Sequence, residues 1–206
     1  QGQAPSIQIR NIRDANGKLQ QSAIKQLDDI ITALQVENPK RPPKEQFQTI
    51  VIDVIDDICV MIEQAICINE GVQALSDIPW SKGYAMFNSA LQQFVMDLKA
   101  LPMNVIYISR EISITDEKSN ITTYKQSLKD KYYNVINGNC DLVIRTSKVG
   151  AGQNIHYMRE VKAARTKYLP ENITNKRVLD LLLTCQGMFS DEVLKQYKEN
   201  KKKENK

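Results

Sequence analysis

The sequence is poor in the residues on which many enzyme classes depend. It has one histidine, His156, and no serine, cysteine or aspartate stands beside it as a partner. A Ser-His-Asp hydrolase is therefore not expected, because such a base has to be oriented by a third group, and His156 reads as structural. The four cysteines, Cys59, Cys67, Cys140 and Cys185, form no CxxC pair. Zinc sites need closely spaced ligands, so none is expected. Cys59 and Cys67 fall in an apolar helical stretch, where a free thiol behaves as a small hydrophobe, and a reducing cytoplasm is the expected compartment. No apolar run approaches the roughly 18 residues that span a bilayer. The longest, Ile50–Ile68, is broken by Asp53, Asp56, Asp57 and Glu63, and no membrane partner is expected. Gln1–Pro5 has neither the basic nor the apolar region of a signal peptide.

What is present suits one folded domain: 42% apolar and 25% charged residues, with aromatics at only 6%. The net charge of +4 is carried by the last twelve residues, Lys195–Lys206, which hold six lysines and two glutamates. The body is balanced, so any contact with nucleic acid has to come from a local patch.

Ser6–Ile12 alternates apolar and polar residues and predicts a strand, followed by a turn at Asp14–Gly17. Gln21–Val36 has helical spacing, and the proline-rich Asn38–Pro43 ends it. Phe47–Asp53 is a nearly continuous β-branched run, as in parallel strands covered on both faces. Helical spacing resumes from Ile55, with Gly71 as the C-cap, and again over Tyr84–Leu98. Met103–Ser109 is the next buried strand. Strand, helix, helix and strand in this order imply a right-handed parallel crossover. Asp141–Thr146 and Asn154–Lys162 predict a β-hairpin around Gly150–Gly152. Arg177–Leu183 and Asp191–Lys198 predict short helices, and the lysine-rich end predicts disorder.

Candidate chemistry gathers at the strand ends. Three apolar residues, Ile50, Val51 and Ile52, precede Asp53, and the C-terminal ends of parallel strands are where α/β sheets bind ligands. A carboxylate there can hold a water of a Mg²⁺ shell beside nucleotide phosphates, the logic of a Walker B motif; the alternative is a carboxylate capping the next helix. Asp56 and Asp57 are read first as capping and dipole-complementing residues, and second as ligands or catalytic groups. Ser109, Arg110 and Glu111 end the second strand, either as a γ-phosphate sensor or as the polar exit of the chain from the core. Arg145, Lys148, Arg159, Lys162, Arg165 and Lys167 form the one basic cluster of the body, against Glu160 alone. They could meet nucleic-acid phosphates or a neighbouring subunit's nucleotide, or form a solvated strand face. The phosphate-cradling GxxxxGK[ST] loop does not occur: Gly17-Lys18 is followed by Leu19, and Ser81-Lys82-Gly83 has the wrong order.

Three segments carry a resemblance: Thr49–Asp56, Trp80-Ser-Lys-Gly-Tyr84 and Leu101-Pro-Met-Asn-Val-Ile-Tyr-Ile-Ser109. In order and spacing they resemble the phage-encoded nucleotide-binding proteins of the AAA/RecA-like ATPase family, over about Ser6–Leu183. The resemblance implies an α/β fold with a three-layer RecA-like P-loop NTPase core, a mainly parallel central sheet and a C-terminal β-hairpin. It implies one domain over 1–189 and a helix with a disordered basic tail over 190–206. ATP and Mg²⁺ are the implied cofactors, with Asp53 as Walker B carboxylate and metal-binding residue and Asp56 beside it. Ser109 and Arg110 stand at the sensor position, and Lys162 or Arg165 act on a neighbour's nucleotide. A homo-oligomer is implied, in the cytoplasm of a bacterial host, working on single-stranded DNA in recombination, repair or annealing. The Walker A strand, loop and helix and the catalytic glutamate of the RecA pattern would precede Gln1. The chain is thus expected to be an ATPase portion that binds ATP poorly alone, or a non-catalytic binding or assembly module on the same scaffold. A weaker alternative is a Mg²⁺-dependent nuclease using Asp53 with Glu63 or Glu111.

Overall fold

The structure, a computed structural model, describes residues 5–152 and 154–204. The chain forms two compact units divided between Asn139 and Cys140.

The first unit opens with two short antiparallel strands, β1 (Ile12–Arg13) and β2 (Leu19–Gln21). The strand predicted over Ser6–Ile12 is reduced to its end. No described segment pairs with the residues before Ile12, and Ile7 stays exposed. Helix α1 (Ala23–Val36) buries Ala23, Leu27 and Ile31, the apolar stripe of its 3.6-residue period. The connector after it is fastened by Asn38, whose side chain accepts the Phe47 N–H (2.8 Å) and donates to the Phe47 carbonyl (3.0 Å). Strand β3 (Thr49–Asp53) leads into α2 (Ile55–Glu70). That helix stops at Gly71, which has the left-handed φ of 67° that glycine adopts without penalty. Helix α3 (Lys82–Ala100) and strand β4 (Asn104–Ile108) follow. β4 lies parallel to β3, with Thr49 opposite Asn104 and Asp53 opposite Ile108. An antiparallel hairpin, β5 (Glu111–Asp116) and β6 (Ile121–Gln126), precedes α4 (Asp130–Asn137).

Helix α2 packs on both α1 and α3, and the deepest core residues are Ile55, Ile62, Phe87, Leu91, Val95 and Leu98. Phe87 meets the Tyr132 ring of α4 at 4.4 Å between centroids. By length and composition alone, Ile55–Asp77 could cross a membrane, which the run of carboxylates around its start had argued against. Here Ile55, Cys59, Ile62, Ala65 and Ile66 are buried within the unit.

Among the described residues the expected three-layer core around a mainly parallel sheet does not form. Among the described residues the parallel sheet is the β3–β4 pair alone. One of its faces, with Thr49, Val51, Asp53, Asn104, Ile106 and Ile108, is exposed. β3 and β4 carry the apolar runs Ile50–Ile52 and Val105–Ile108, as parallel strands do, and the strands of the other described pairs run antiparallel.

The second unit contains β7 (Leu142–Val149) and β8 (His156–Ala164), paired antiparallel, then α5 (Lys176–Leu182) and α6 (Asp191–Glu204). Asn175 caps α5, its side chain accepting the N–H groups of Arg177 and Val178 at 3.0 and 3.2 Å. The tail expected to be disordered continues α6 through Glu204. Lysine and glutamate are good helix formers, and that propensity prevails here over the lack of apolar residues.

Candidate functional site

The C-terminal edge of β3 and β4 gathers polar groups that are distant in sequence. Because Asp53 stands opposite Ile108, Asp53 and Ser109-Arg110 leave the sheet side by side. Helix α2 starts at once, and its N-cap residue, Val54, supplies no capping side chain. Asp56 and Asp57 therefore occupy the first helical turn, where negative charge complements the helix dipole. Neither caps the helix; both reach across to the end of β4.

Asp56 is buried, and both its oxygens are engaged. Oδ2 accepts the backbone N–H of Arg110 at 3.1 Å, and Oδ1 accepts the Ser127 hydroxyl. The Ser127 N–H donates to the Arg110 carbonyl at 2.9 Å, closing the neck of the β5–β6 hairpin. One carboxylate thus fastens the start of α2 to both feet of that hairpin. Asp57 is exposed and takes the Arg110 guanidinium in a fork, Nη1 to Oδ1 at 2.7 Å and Nη2 to Oδ2 at 2.9 Å. The hydrogen bonds from Arg110 hold the Asp57 carboxyl below its usual range. The same contact raises Arg110, helped by the fields of Asp56 and Asp53.

Asp53 is exposed at the strand end, and its side chain accepts no hydrogen bond among the described residues. The Ser109 hydroxyl is half-buried and lies 3.4 Å from the Arg110 carbonyl. So Asp53, Asp56, Ser109 and Arg110, all anticipated from sequence, share one edge, but only the Asp53 carboxylate is unengaged. Ser127 was not anticipated; it lies 71 positions from Asp56, and no local pattern links them.

Among the described residues no group of three His, Cys, Asp or Glu side chains could hold a metal ion. The nuclease alternative, with Asp53 joined by Glu63 or Glu111, lacks that cluster. Asp53 alone suits an outer role toward Mg²⁺, which keeps several waters and needs few protein ligands. The basic residues Arg145, Lys148, Arg159 and Lys162 lie on β7 and β8, and Arg165 and Lys167 follow β8, all in the second unit. Lys162 pairs with Glu160 at 2.8 Å.

A family model described as an AAA domain matches residues 5–181. The chain belongs to the AAA-domain family. No curated protein matches the chain, and no solved structure does. An AAA domain is a nucleotide-binding, ATPase-like module of the α/β P-loop kind, and its nucleotide is typically handled with Mg²⁺. The matched span of this AAA domain takes in the strand-end cluster and all six basic residues from Arg145 to Lys167.

Proposed function

We propose that this AAA domain supplies the Mg²⁺ and sensor side of a RecA-like ATP site, with Asp53 as the Walker B carboxylate. One observation carries the reading. Asp53 is the unengaged carboxylate at the C-terminal end of a parallel strand, and Ser109 and Arg110 end the neighbouring strand beside it. When Mg²⁺ is bound, it supplies charge neutralisation at the nucleotide phosphates. Asp53 would hold a water of its shell, and Arg110, released from Asp57, would meet the terminal phosphate. The likeness of Thr49–Asp56 and Leu101–Ser109 to phage recombination ATPases supports a role in DNA recombination, repair or single-strand annealing. In a homo-oligomer, Lys162 or Arg165 would reach a neighbour's nucleotide.

A second reading, a non-catalytic binding module on the same scaffold, draws on two facts. The 206 residues contain no GxxxxGK[ST], and Arg110 is held by Asp57. Titration calorimetry with ATP at millimolar concentration, with and without Mg²⁺, separates the two. The ATPase reading expects weak, Mg²⁺-dependent binding at that concentration, which Asp53→Ala abolishes. Binding unchanged by that substitution overturns the role of Asp53, and no binding at all supports the second reading.

A further inference from the structure

The pairing of β7 with β8 sorts the basic cluster onto two faces. Opposed residues of an antiparallel pair point to the same side, and sides alternate along each strand. Thr146 stands opposite Arg159, and Lys148 opposite Tyr157, so these four share one face. Arg145, Ser147 and Val149 share the other with His156, Met158 and Glu160. The acid of the ribbon is on that second face, where Glu160 holds Lys162. The first face thus carries two cations, a hydroxyl and an aromatic ring with no carboxylate among them. Tyr157 is 68% exposed, and Lys148 is exposed beside it.

The ribbon is braced at its base. Gln186 runs along β8, its N–H donating to the Arg159 carbonyl at 2.8 Å and its carbonyl accepting the Val161 N–H at 2.9 Å. Ile144 and Val161 are half-buried there. Arg159 therefore projects from a fixed backbone, and Tyr157 and Lys148 stand two residues further out.

We propose that this face docks single-stranded nucleic acid. A base stacks on Tyr157, and the phosphates on either side lie against Lys148 and Arg159. The proposal rests on the DNA-directed part of the reading above and names its surface. Charge complementarity selects a polyanion, and the exposed ring between two cations selects one with flat bases to stack. In duplex DNA the bases are already stacked and leave no free face for Tyr157.

The test is fluorescence anisotropy with a labelled oligothymidylate at several salt concentrations, on the full chain. Tyr157→Ala is expected to weaken binding roughly 5- to 150-fold, and Tyr157→Phe to retain it. Lys148→Ala is expected to lower the dependence of log affinity on log salt by about 0.7. Met158→Ala, on the opposite face, is expected to bind as the unmodified chain does. Circular dichroism confirms folding, and both Tyr157 and Lys148 are exposed enough to be replaced without disturbing a core. Wild-type affinity in both Tyr157→Ala and Lys148→Ala overturns the proposal, as does absence of binding at low salt. Equal competition by duplex DNA overturns the stacking of a base on Tyr157. Binding of polyglutamate in place of oligothymidylate overturns it in favour of an acidic protein. Asp53→Ala is expected to leave DNA affinity intact, so failure of the nucleotide reading is seen separately in calorimetry.

Discussion

Asp57 and Arg110, 53 positions apart in the chain, meet through two parallel hydrogen bonds of 2.7 and 2.9 Å at the edge of the parallel strand pair. The contact occupies the one cation of the strand-end cluster. It is also an exposed ion pair, with both side chains more than half accessible, so water and salt screen it.

Its signature is a pH dependence. Arg110 depresses the Asp57 carboxyl below the ordinary value of 3.8, so the folded state binds that proton less readily than the unfolded chain. The pair's contribution is fully present above 3.8 and is lost as pH falls through the lower, folded-state value. The difference in urea midpoint between the chain and Arg110→Ala should be small and constant from neutral pH down to about 3.8, shrink below that, and vanish once the pH is under the folded-state value. A difference that grows on acidification would contradict the assignment.

Asp56 should matter more to stability than its solvent-facing neighbour. Asp56→Ala leaves the part-buried Arg110 N–H and Ser127 hydroxyl without their acceptor, a loss of about 1 kcal/mol or somewhat more in urea unfolding. Asp56→Asn keeps one acceptor oxygen and should lose less. Ser127→Ala combined with Asp56→Ala should be less than additive, because both remove the same bond. Hydrogen exchange should rise through 111–126 in Asp56→Ala, since the neck of that hairpin is released.

Gly83 tests the packing at the start of α3. A Cβ there would lie 2.3 Å from the Leu75 carbonyl oxygen and 2.9 Å from Ile78 Cδ1. Helix propensity alone makes alanine better than glycine by about 1 kcal/mol. The backbone collision reverses the sign, and Gly83→Ala should destabilise the chain by about 1–3 kcal/mol in thermal or urea unfolding. A stabilised variant would show that α3 and the Leu75 turn are further apart.

Cys59 should be chemically silent in the folded chain. Burial, joined by the fields of Asp56 and Glu63, pushes its thiol up to about 12. The thiolate is the reactive form, so iodoacetamide at neutral pH should leave Cys59 unlabelled until urea is added. Peptide mass spectrometry distinguishes it from the half-buried Cys140. Rapid labelling of Cys59 without denaturant would contradict its burial.

These expectations depend unequally on what the sequence makes visible. Thr49–Asp53 and Asn104–Ile108 are legible because a parallel strand buried on at least one face has to be apolar and β-branched. Gly71 is legible because a helix end that turns left-handed selects glycine. The β5–β6 hairpin is harder to read. Every residue from Glu111 to Lys125 on its strands is exposed, so burial imposes no pattern there. Its turn relies on local bonds instead: Asp116 accepts the Lys118 N–H and the Ser119 hydroxyl, and Asn120 takes a φ of 52°. Asp53 and Arg110 could be named as strand ends. The engagement of Asp56 by Ser127, and of Arg110 by Asp57, could not, because those contacts join positions that only the completed fold brings together.

The parallel pairing of β3 with β4 has a consequence for the order of events during synthesis. Two helices intervene between the strands, so the pair cannot close until that whole stretch exists and has compacted. On a ribosome adding roughly 5–20 residues per second, Arg110 follows Asp57 by several seconds. For that interval Asp53, Asp56 and Asp57 are a nascent acidic turn with no arginine opposite. The C-terminal edge of this strand pair thus acquires its shape only late in the synthesis of the unit.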